Sequence, residues 1–513
     1  MPSPTTPSSR SWSGVEFLVI AAVGYLLFFH RLGELPIYVW DEARDTINAL
    51  EMLRTGDLLV TYFHGRPDLW NTKPPGAIWL MAGSMRLFGV NEFALRLPSA
   101  LAGLLTTLIV YGFTRRVSDS RWAGLLGAVV LMATAGYVGP HVTRTADYDS
   151  LLVLFTTAGV LSFGLALEQG APRTRWLLIS AAATAMAILV KGVAGILLLP
   201  GLLIFAVVAA KAPALIKSRG AWLSAALVVA VTAAFYGLRE LAEPGYLRAV
   251  VFNELGGRFS GAIEGHGGPW WYYLSEAAAP WPLWFRWPVP ESQVMGSAFP
   301  WSWLAPLSAL LALMSLRPAV RRAALLIVVV TAAYLVIISG AATKLTWYLA
   351  PTFPLIAIVT ALGAQRVWEW RGRRVLPALS VAAACVVALA VAYKNHREIE
   401  ASPNRSERMT AAFIKQVFAA HPALSPVRIV HDGHGTKDGQ PYTAPEEFYV
   451  TALRERGLDV SIVRSSYRGQ SGETVLRCAA LPQPAAGDDG EVLLRNKSCA
   501  AVRLRGAISP PGS

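Results

Sequence analysis

The chain has 513 residues, of which 54% are apolar and 15% are charged, and its formal net charge is +13. Soluble globular proteins carry about 25% charged residues, so this composition excludes an ordinary soluble protein and indicates a membrane protein. The positive charge does not indicate nucleic-acid binding, because the basic residues collect in short loops between apolar segments, as they do on the cytoplasmic side of membrane proteins.

Eleven apolar segments are predicted to cross the membrane, since a helix needs about 20 residues to span the hydrocarbon. The first is read as an uncleaved signal anchor because no A-x-A cleavage site follows it. Residues 1–11 before it are rich in Pro, Ser and Thr and are predicted to be disordered. The predicted spans are 14–30, 97–114, 122–140, 150–167, 176–190, 192–210, 220–238, 301–316, 323–343, 345–365 and 375–393.

Basic residues fix the predicted orientation in a bacterial inner membrane. With the N-terminus inside, the loops that contain Arg115, Arg173, Lys211, Arg317 and Arg366 are cytoplasmic. This holds only if the apolar segment 76–90 does not span, so it is predicted to be an amphipathic helix on the outer face. A second amphipathic helix is predicted over 42–54. Loops 31–93 and 239–300 are then periplasmic.

The composition changes after residue 393, where the charge content becomes that of a soluble domain. The runs VRIV (427–430) and LDVSIV (458–463) predict strands, and PEEFYVTALRERG (445–457) predicts a helix. We therefore predict a membrane domain over 12–393 and a small α/β periplasmic domain over 394–513. Cys478 and Cys499 fall in this domain, where a disulfide is plausible but not fixed by the sequence.

Acidic residues follow two of the predicted spans on the periplasmic side. Asp41 and Glu42 lie just after the first span, and Asp149 opens the span 150–167, with Asp147 two residues before it. Such acids often cap helices. Partial desolvation at a membrane interface can also prepare a carboxylate to act as a general base, and converging carboxylates can orient a hydroxyl or bind a cation.

Several cations lie on the same side, against the usual charge bias. Lys73, Arg144, Lys191 and Lys344 are candidates for binding an anion, although any one of them could instead reach lipid headgroups. His266 could bind a metal, donate to a phosphate or serve as an interfacial polar group. A divalent cation held by Asp41, Glu42 and His266 is conceivable, but no spacing diagnostic of a metal site is present.

Seven short motifs together resemble the bacterial aminoarabinose lipid A transferases. These belong to the GT-C glycosyltransferases, which include the protein O-mannosyltransferases, and the resemblance covers residues 12–393. The motifs are WDEAR (40–44), KPP (73–75), LFGVNEFALRLPSAL (87–101), RTADYDS (144–150), KG (191–192), HGGPWWYY (266–273) and KLTWYLAP (344–351).

The resemblance implies a GT-C fold and an inverting transfer from an undecaprenyl-phosphate sugar to a lipid A, glycan or protein acceptor. It implies that Asp41 is the catalytic base and Asp149 the second acid. The implied phosphate-binding residues are Arg44, Lys73, Lys191 and Tyr348, with His266 near them. Thr72 stands where aminoarabinose transferases commonly have a zinc-binding Glu, which leaves both the zinc and the sugar open.

A transporter or flippase for a lipid-linked sugar is the main alternative. Such proteins keep polar residues near the middle of the membrane and are often built from two related halves. The predicted spans here lack charges, and no internal repeat is visible. The sequence therefore favours an enzyme with an interfacial site.

Overall fold

The structure is a computed structural model that describes most of the chain. It covers residues 14–168, 170–262, 265–278, 300–372, 374–401, 408–431, 436–437, 440–464, 466–478 and 490–505. Residues 1–11, which are predicted to be disordered, lie outside the described residues. Residues 279–299 of the second long loop also lie outside them.

The membrane part is built of α-helices joined by short loops. Four shorter pieces interrupt or extend them: π-helices at Tyr25–Phe29 and Val251–Gly257, and 3₁₀ turns at Gly192–Ile196 and Thr346–Thr352. The α-helices are α1 (Gly14–Gly24), α2 (Asp41–Thr55), α3 (Gly76–Phe88), α4 (Glu92–Ser118), α5 (Arg121–Met132), α6 (Asp149–Ala166), α7 (Thr174–Lys191), α8 (Leu199–Val208), α9 (Ala212–Ile216), α10 (Arg219–Ala242), α11 (Tyr246–Val250), α12 (Arg258–Ser260), α13 (Tyr272–Ala278), α14 (Trp301–Leu313), α15 (Pro318–Gly340), α16 (Phe353–Arg371) and α17 (Leu376–Ala401).

Among the described residues, seven helical segments are long and apolar enough to cross a membrane. They are Glu92–Ser118, Asp149–Ala166, Thr174–Ile196, Arg219–Ala242, Pro318–Gly340, Thr346–Arg371 and Leu376–Ala401. The shorter apolar helices α1, α5, α8 and α14 occupy the other four predicted spans. The chain is thus a multi-pass membrane protein, while the crossing of all eleven segments stays a prediction.

Four predicted spans are not single α-helices, and the first of them, 14–30, passes from α1 into the π-helix Tyr25–Phe29. Helix α5 ends at Met132, and the rest of 122–140 forms turns around Gly136, Gly139 and Pro140. Glycine and proline do not continue a helix well, and hydropathy does not register this. For the same reason 192–210 and 345–365 each begin with a 3₁₀ turn before α8 and α16.

Helices α2 and α3 are the two predicted amphipathic helices, and they pack on each other. Ala43, Ile47 and Leu50 form the buried side of α2. Helix α3 also meets α7 closely, because a Cβ on Gly76 would lie 2.6 Å from the carbonyl oxygen of Leu189. This contact requires glycine and fixes the loop before α3 against the end of α7.

The C-terminal part is an α/β domain, as predicted. Its five-stranded sheet has the order β6-β3-β7-β9-β8, and β3 runs parallel to β6 and β7. A disulfide joins Cys478 and Cys499, which face each other across β7 and β9. Two further hairpins have strands of only two residues each. The hairpin β1–β2 lies in the first long loop of the membrane part, and β4–β5 lies in the C-terminal part. The elements are β1 (Tyr62–Phe63), β2 (Arg66–Pro67), α18 (Met409–Ala420), β3 (Val427–Val430), β4 (Thr436–Lys437), β5 (Gln440–Pro441), α19 (Ala444–Arg454), β6 (Val460–Val463), β7 (Thr474–Cys478), β8 (Gly490–Arg495) and β9 (Cys499–Leu504).

The C-terminal domain sits on the loop that carries α2. Lys415 pairs with Glu92 at 2.5 Å. The hydroxyl of Tyr449 accepts a hydrogen bond from the Ile37 amide at 3.0 Å and donates to Glu92 at 3.1 Å. Both partners are on one end of the membrane bundle, so this domain covers the end where the first long loop lies.

Candidate functional site

A cavity of about 600 Å³ opens at the end of the bundle covered by the C-terminal domain. Asp149 begins α6 and Lys191 ends α7, and because the two helices are antiparallel both residues lie at this end. The predicted site residues that line the cavity are Asp41, Glu42, Arg44, Lys73, Asp149, Lys191, His266 and Tyr348. The structure therefore brings most of the predicted site together.

Asp41 is the first residue of α2, and its side chain is 60% exposed, with the cavity beside it. Burial in the protein raises the pKa of its carboxyl group. The positive charges of His141, Lys73 and Lys191 outweigh that effect and hold the pKa below its ordinary value. Asp41 is thus an ionised carboxylate that a molecule in the cavity can reach.

His141 is a cation beside Asp41 that was not among the site residues predicted from the sequence. Its Nδ1 lies 3.8 Å from Asp41 Oδ2 and 3.5 Å from Asp147 Oδ1. Its ring stacks on Trp347 with centroids 4.0 Å apart and planes at 5°. Burial lowers the pKa of His141, but the charges of Asp147 and Asp41 raise it to about 9. The imidazolium is therefore held by two carboxylates and an aromatic face.

Asp41, His141 and Asp147 also form the group among the described residues that could hold a metal ion. One ligand atom each from Asp41, His141 and Asp147 lies within 4.8 Å of the others. The predicted set of Asp41, Glu42 and His266 is not the group that the structure assembles. A divalent cation at this triad would replace the proton on His141.

Glu42 forms a buried ion pair with Arg96 of α4. Arg96 Nε and Nη2 donate to its two carboxylate oxygens at 2.6 and 2.8 Å. The backbone amides of Tyr38 and Ala146 donate at 2.8 and 2.9 Å. Both oxygens are occupied, so the carboxylate of Glu42 joins α2, α4 and the loop before α6. This arrangement fits a structural role better than the predicted catalytic or metal-binding role.

Three cations line the cavity together with Asp41. Lys191 pairs with Asp149 at 2.6 and 2.5 Å and lies 5.8 Å from the ring centroid of Tyr348. Arg258, which the sequence analysis missed, donates to the hydroxyl of Tyr348 at 3.4 Å. Lys73 donates to Asn71 Oδ1 at 3.3 Å and lies 5.2 Å from the ring centroid of Tyr148. We call Lys73, Lys191 and Arg258 the cation cluster. Its three positive charges exceed the one negative charge of Asp149, the acid that pairs with Lys191.

Arg44 and His266 line the cavity with other partners. Arg44 makes two bonds of 2.9 and 2.6 Å to Asp68 and stacks on Phe63 at 4.3 Å, so its guanidinium is already neutralised. His266 is exposed, and its carbonyl accepts from the Lys344 amide at 2.7 Å.

Thr72, at the position where the resemblance led us to look for a glutamate, donates to Glu254 at 3.3 Å. Glu254 lines the cavity and was not predicted. A carboxylate is therefore present near this position, although it comes from a different part of the chain.

Two predicted phosphate-binding cations lie outside the cavity. Arg144 donates to the backbone carbonyls of Leu27 and His30 at 3.2 and 2.9 Å. The Nζ of Lys344 donates to the carbonyls of Ile338 and Ser339 at 3.2 and 2.6 Å. Both cations bind backbone carbonyl groups, so they stabilise loops, and the expectation that they bind the phosphate is not supported by their positions.

The remainder of the cavity wall is largely apolar. It descends from the charged end between α6, α7 and α15 and contains Leu152, Val193, Ala194, Leu197, Ile337, Ile338, Ala341 and Leu345. A charged end joined to an apolar wall suits an amphiphilic molecule whose polar head lies at the membrane interface.

Comparisons with known proteins agree with this architecture. Residues 72–236 match the model of the dolichyl-phosphate-mannose-protein mannosyltransferase family, PMT_2. The whole chain is similar to the crystal structure of ArnT from Cupriavidus metallidurans bound to undecaprenyl phosphate. The two share 17% identity and a TM-score of 0.64, over 96% of this chain and 98% of ArnT. The chain has the GT-C fold.

Curated relatives of this chain include two undecaprenyl phosphate-alpha-4-amino-4-deoxy-L-arabinose arabinosyl transferases. That of Aeromonas salmonicida is 30% identical over 49% of this chain and 45% of its own length. Transferase 1 of Pseudomonas fluorescens Pf0-1 is 26% identical over 72% of this chain and 60% of its own length. The matches thus span less than two thirds of these relatives. The predicted resemblance to these transferases is confirmed, as is the predicted fold class, a helical membrane domain with a small α/β domain.

Proposed function

We propose that this GT-C protein is an inverting glycosyltransferase that takes a sugar from a polyprenyl-phosphate donor. The observation that carries the proposal is the placement of an ionised, accessible Asp41 and the cation cluster in one amphiphilic cavity. A base and an anion-binding group in the same cavity suit a transfer that releases a phosphate.

The cation cluster is proposed to bind the donor phosphate. Lys73, Lys191 and Arg258 would stabilise the negative charge that grows on the phosphate as the bond to the sugar breaks. Tyr348 contacts both Lys191 and Arg258 and could donate a hydrogen bond to the same group. Asp149 holds Lys191 in place, so its proposed role is to position that lysine.

Asp41 is proposed to be the general base. It would accept the proton of the acceptor hydroxyl or phosphate while the acceptor oxygen attacks the anomeric carbon opposite the phosphate. A bond forms between the acceptor oxygen and the anomeric carbon, and the bond from that carbon to the phosphate oxygen breaks. Because phosphate leaves readily, the donor needs no general acid, and the configuration at the anomeric carbon inverts.

The apolar wall is proposed to accept the polyprenyl chain. ArnT of Cupriavidus metallidurans was crystallised with undecaprenyl phosphate, which supports the same donor class here. We propose that the cavity faces the periplasm of the inner membrane, because the basic residues at the C-terminal end of α4 and the N-terminal end of α7 lie at the opposite end of the bundle. Lipid A, a glycan or a protein remains the proposed acceptor.

The position of the charges argues against the transporter alternative. Asp41 and Lys73 lie in the first long loop, outside the predicted spans, and Asp149 and Lys191 lie at the ends of α6 and α7. A transporter would instead be expected to carry such groups near the membrane midplane.

A deletion strain tests the proposed function. Mass spectrometry of its lipid A, glycans and periplasmic proteins should show that one sugar-bearing product is lost. The wild-type chain should restore that product, and Asp41→Asn at equal abundance should not. Restoration by Asp41→Asn, or an unchanged set of products in the deletion strain, would reject the proposal.

A further inference from the structure

Asp45 is a buried carboxylate beside the cavity that the proposed mechanism does not use. It is 3% exposed, lines the cavity and lies one helical turn after Asp41 on α2. Residues four apart lie on the same helix face, about 6 Å apart along the axis. The two carboxylates therefore border adjacent parts of one space.

One oxygen of Asp45 is bonded and the other is not. Oδ1 accepts from the Asn71 amide at 3.0 Å, and Asn71 also donates to Asn48 and Tyr148. Oδ2 is buried without a hydrogen-bond partner among the described residues. A buried carboxylate oxygen without a donor is costly, so a donor supplied by a ligand would stabilise it.

The surroundings place this oxygen near the transferred sugar. Asn71 links Asp45 to Lys73, whose Nζ is 3.3 Å from Asn71 Oδ1. If Lys73 binds the phosphate and Asp41 faces the acceptor, the sugar lies between them and beside Asp45. Burial raises the pKa of Asp45 well above its usual range, and the charges of Asp147 and Asp41 add to the shift, although Lys73 and a hydrogen bond from Tyr148 oppose it.

We propose that Asp45 recognises a ring hydroxyl of the sugar on the lipid donor and so helps to determine which sugar is transferred. This inference rests on the proposed function. A hydroxyl suits the position because it can donate to a carboxylate and can also accept from a protonated carboxyl group.

Donor binding tests the inference without relying on turnover. The purified full-length chain is titrated with undecaprenyl phosphate, with undecaprenyl-phosphate hexoses, and with deoxy analogues that each lack one ring hydroxyl. The wild type should bind one hexose donor more tightly than the bare lipid phosphate, and one deoxy change should weaken that binding about ten-fold or more. Asp45→Ala should bind that deoxy donor and its parent equally.

Asn48→Ala is the matched control. Asn48 also accepts a hydrogen bond from Asn71, but it does not line the cavity, so this variant should still discriminate the deoxy donor. Equal loss of discrimination in both variants would show that Asp45 only supports Asn71 and would overturn the inference. Discrimination retained by Asp45→Ala would overturn it as well.

Wild-type binding separates this inference from the proposed function. If the wild type binds bare and glycosylated lipid phosphates equally well, the role of Asp45 fails while the proposed donor class stands. If the wild type binds none of these lipids, the proposed function itself fails.

Discussion

The ion pair between Glu42 and Arg96 gives the sharpest prediction about stability. Arg96 is fully buried, and besides Glu42 it contacts the carbonyls of Leu32, Leu35 and Pro36. Glu42→Gln keeps the side-chain shape but leaves the guanidinium without its counter-charge. Removing one partner of a buried pair costs about 3–5 kcal/mol, so we expect that loss in the free energy of unfolding. Unfolding by SDS in mixed micelles, followed by tryptophan fluorescence, measures it.

Glu34→Gln provides the matched control for that experiment. Glu34 lies in the same loop and pairs with Arg31 at 2.6 Å, but its side chain is 51% exposed. An exposed pair contributes about 0–1 kcal/mol, so the control should change little. Equal small effects of the two substitutions would refute a structural role for Glu42. If the Glu42→Gln protein were as stable as the wild type but inactive, Glu42 would have the catalytic role that was predicted from the sequence.

Three further predictions follow from the cavity and its orientation. Lys73→Ala should weaken binding of undecaprenyl phosphate about ten-fold or more, measured by titration of the purified protein, because a charge facing the phosphate is lost. The pKa of His141 rises from 6.5 to about 9 on folding, so its stabilising contribution is complete below pH 6.5 and is lost as the pH rises through about 9. The melting temperature of the wild type should therefore fall as the pH rises from 6.5 through about 9, and the melting temperature of His141→Gln should not show this fall. Arg66→Cys in a Cys385→Ala background should react with a membrane-impermeant maleimide from the periplasm.

Each of these predictions has a contrary result. Unchanged lipid affinity in Lys73→Ala, with Lys211→Ala at the opposite end as control, would remove Lys73 from the phosphate site. The same pH dependence of melting in the wild type and in His141→Gln would show that the imidazole is not charged by its neighbours. Labelling of position 66 only after the cells are broken would reverse the proposed orientation.

Local patterns in the sequence predicted much of the fold. The apolar spacing in 42–54 predicted α2, and the alternation of spans placed Asp149 and Lys191 at the same membrane face. These predictions succeed because a helical period and the antiparallel order of neighbouring spans depend on nearby residues. The interruptions at Gly136 and in the segment 192–210 were missed because hydropathy alone does not detect a broken helix.

Contacts between distant segments could not be predicted in this way. His141 stacks on Trp347, and Glu42 pairs with Arg96, although each pair is far apart in the sequence. Such contacts depend on the packing of several helices, to which no local pattern corresponds. The sequence did indicate the acids Asp147 and Asp149 in the turn HVTRTADYDS, but His141, six residues before Asp147, was not among the predicted site residues.

Transfer by purified Asp41→Asn protein tests the central claim most directly. With an undecaprenyl-phosphate sugar as donor, we expect the turnover rate to fall about 10²- to 10⁴-fold, as for the loss of a general base. Affinity for undecaprenyl phosphate should not weaken, because the cation cluster is intact. Wild-type turnover by this variant, measured by release of undecaprenyl phosphate, would contradict the assignment of Asp41 as the base.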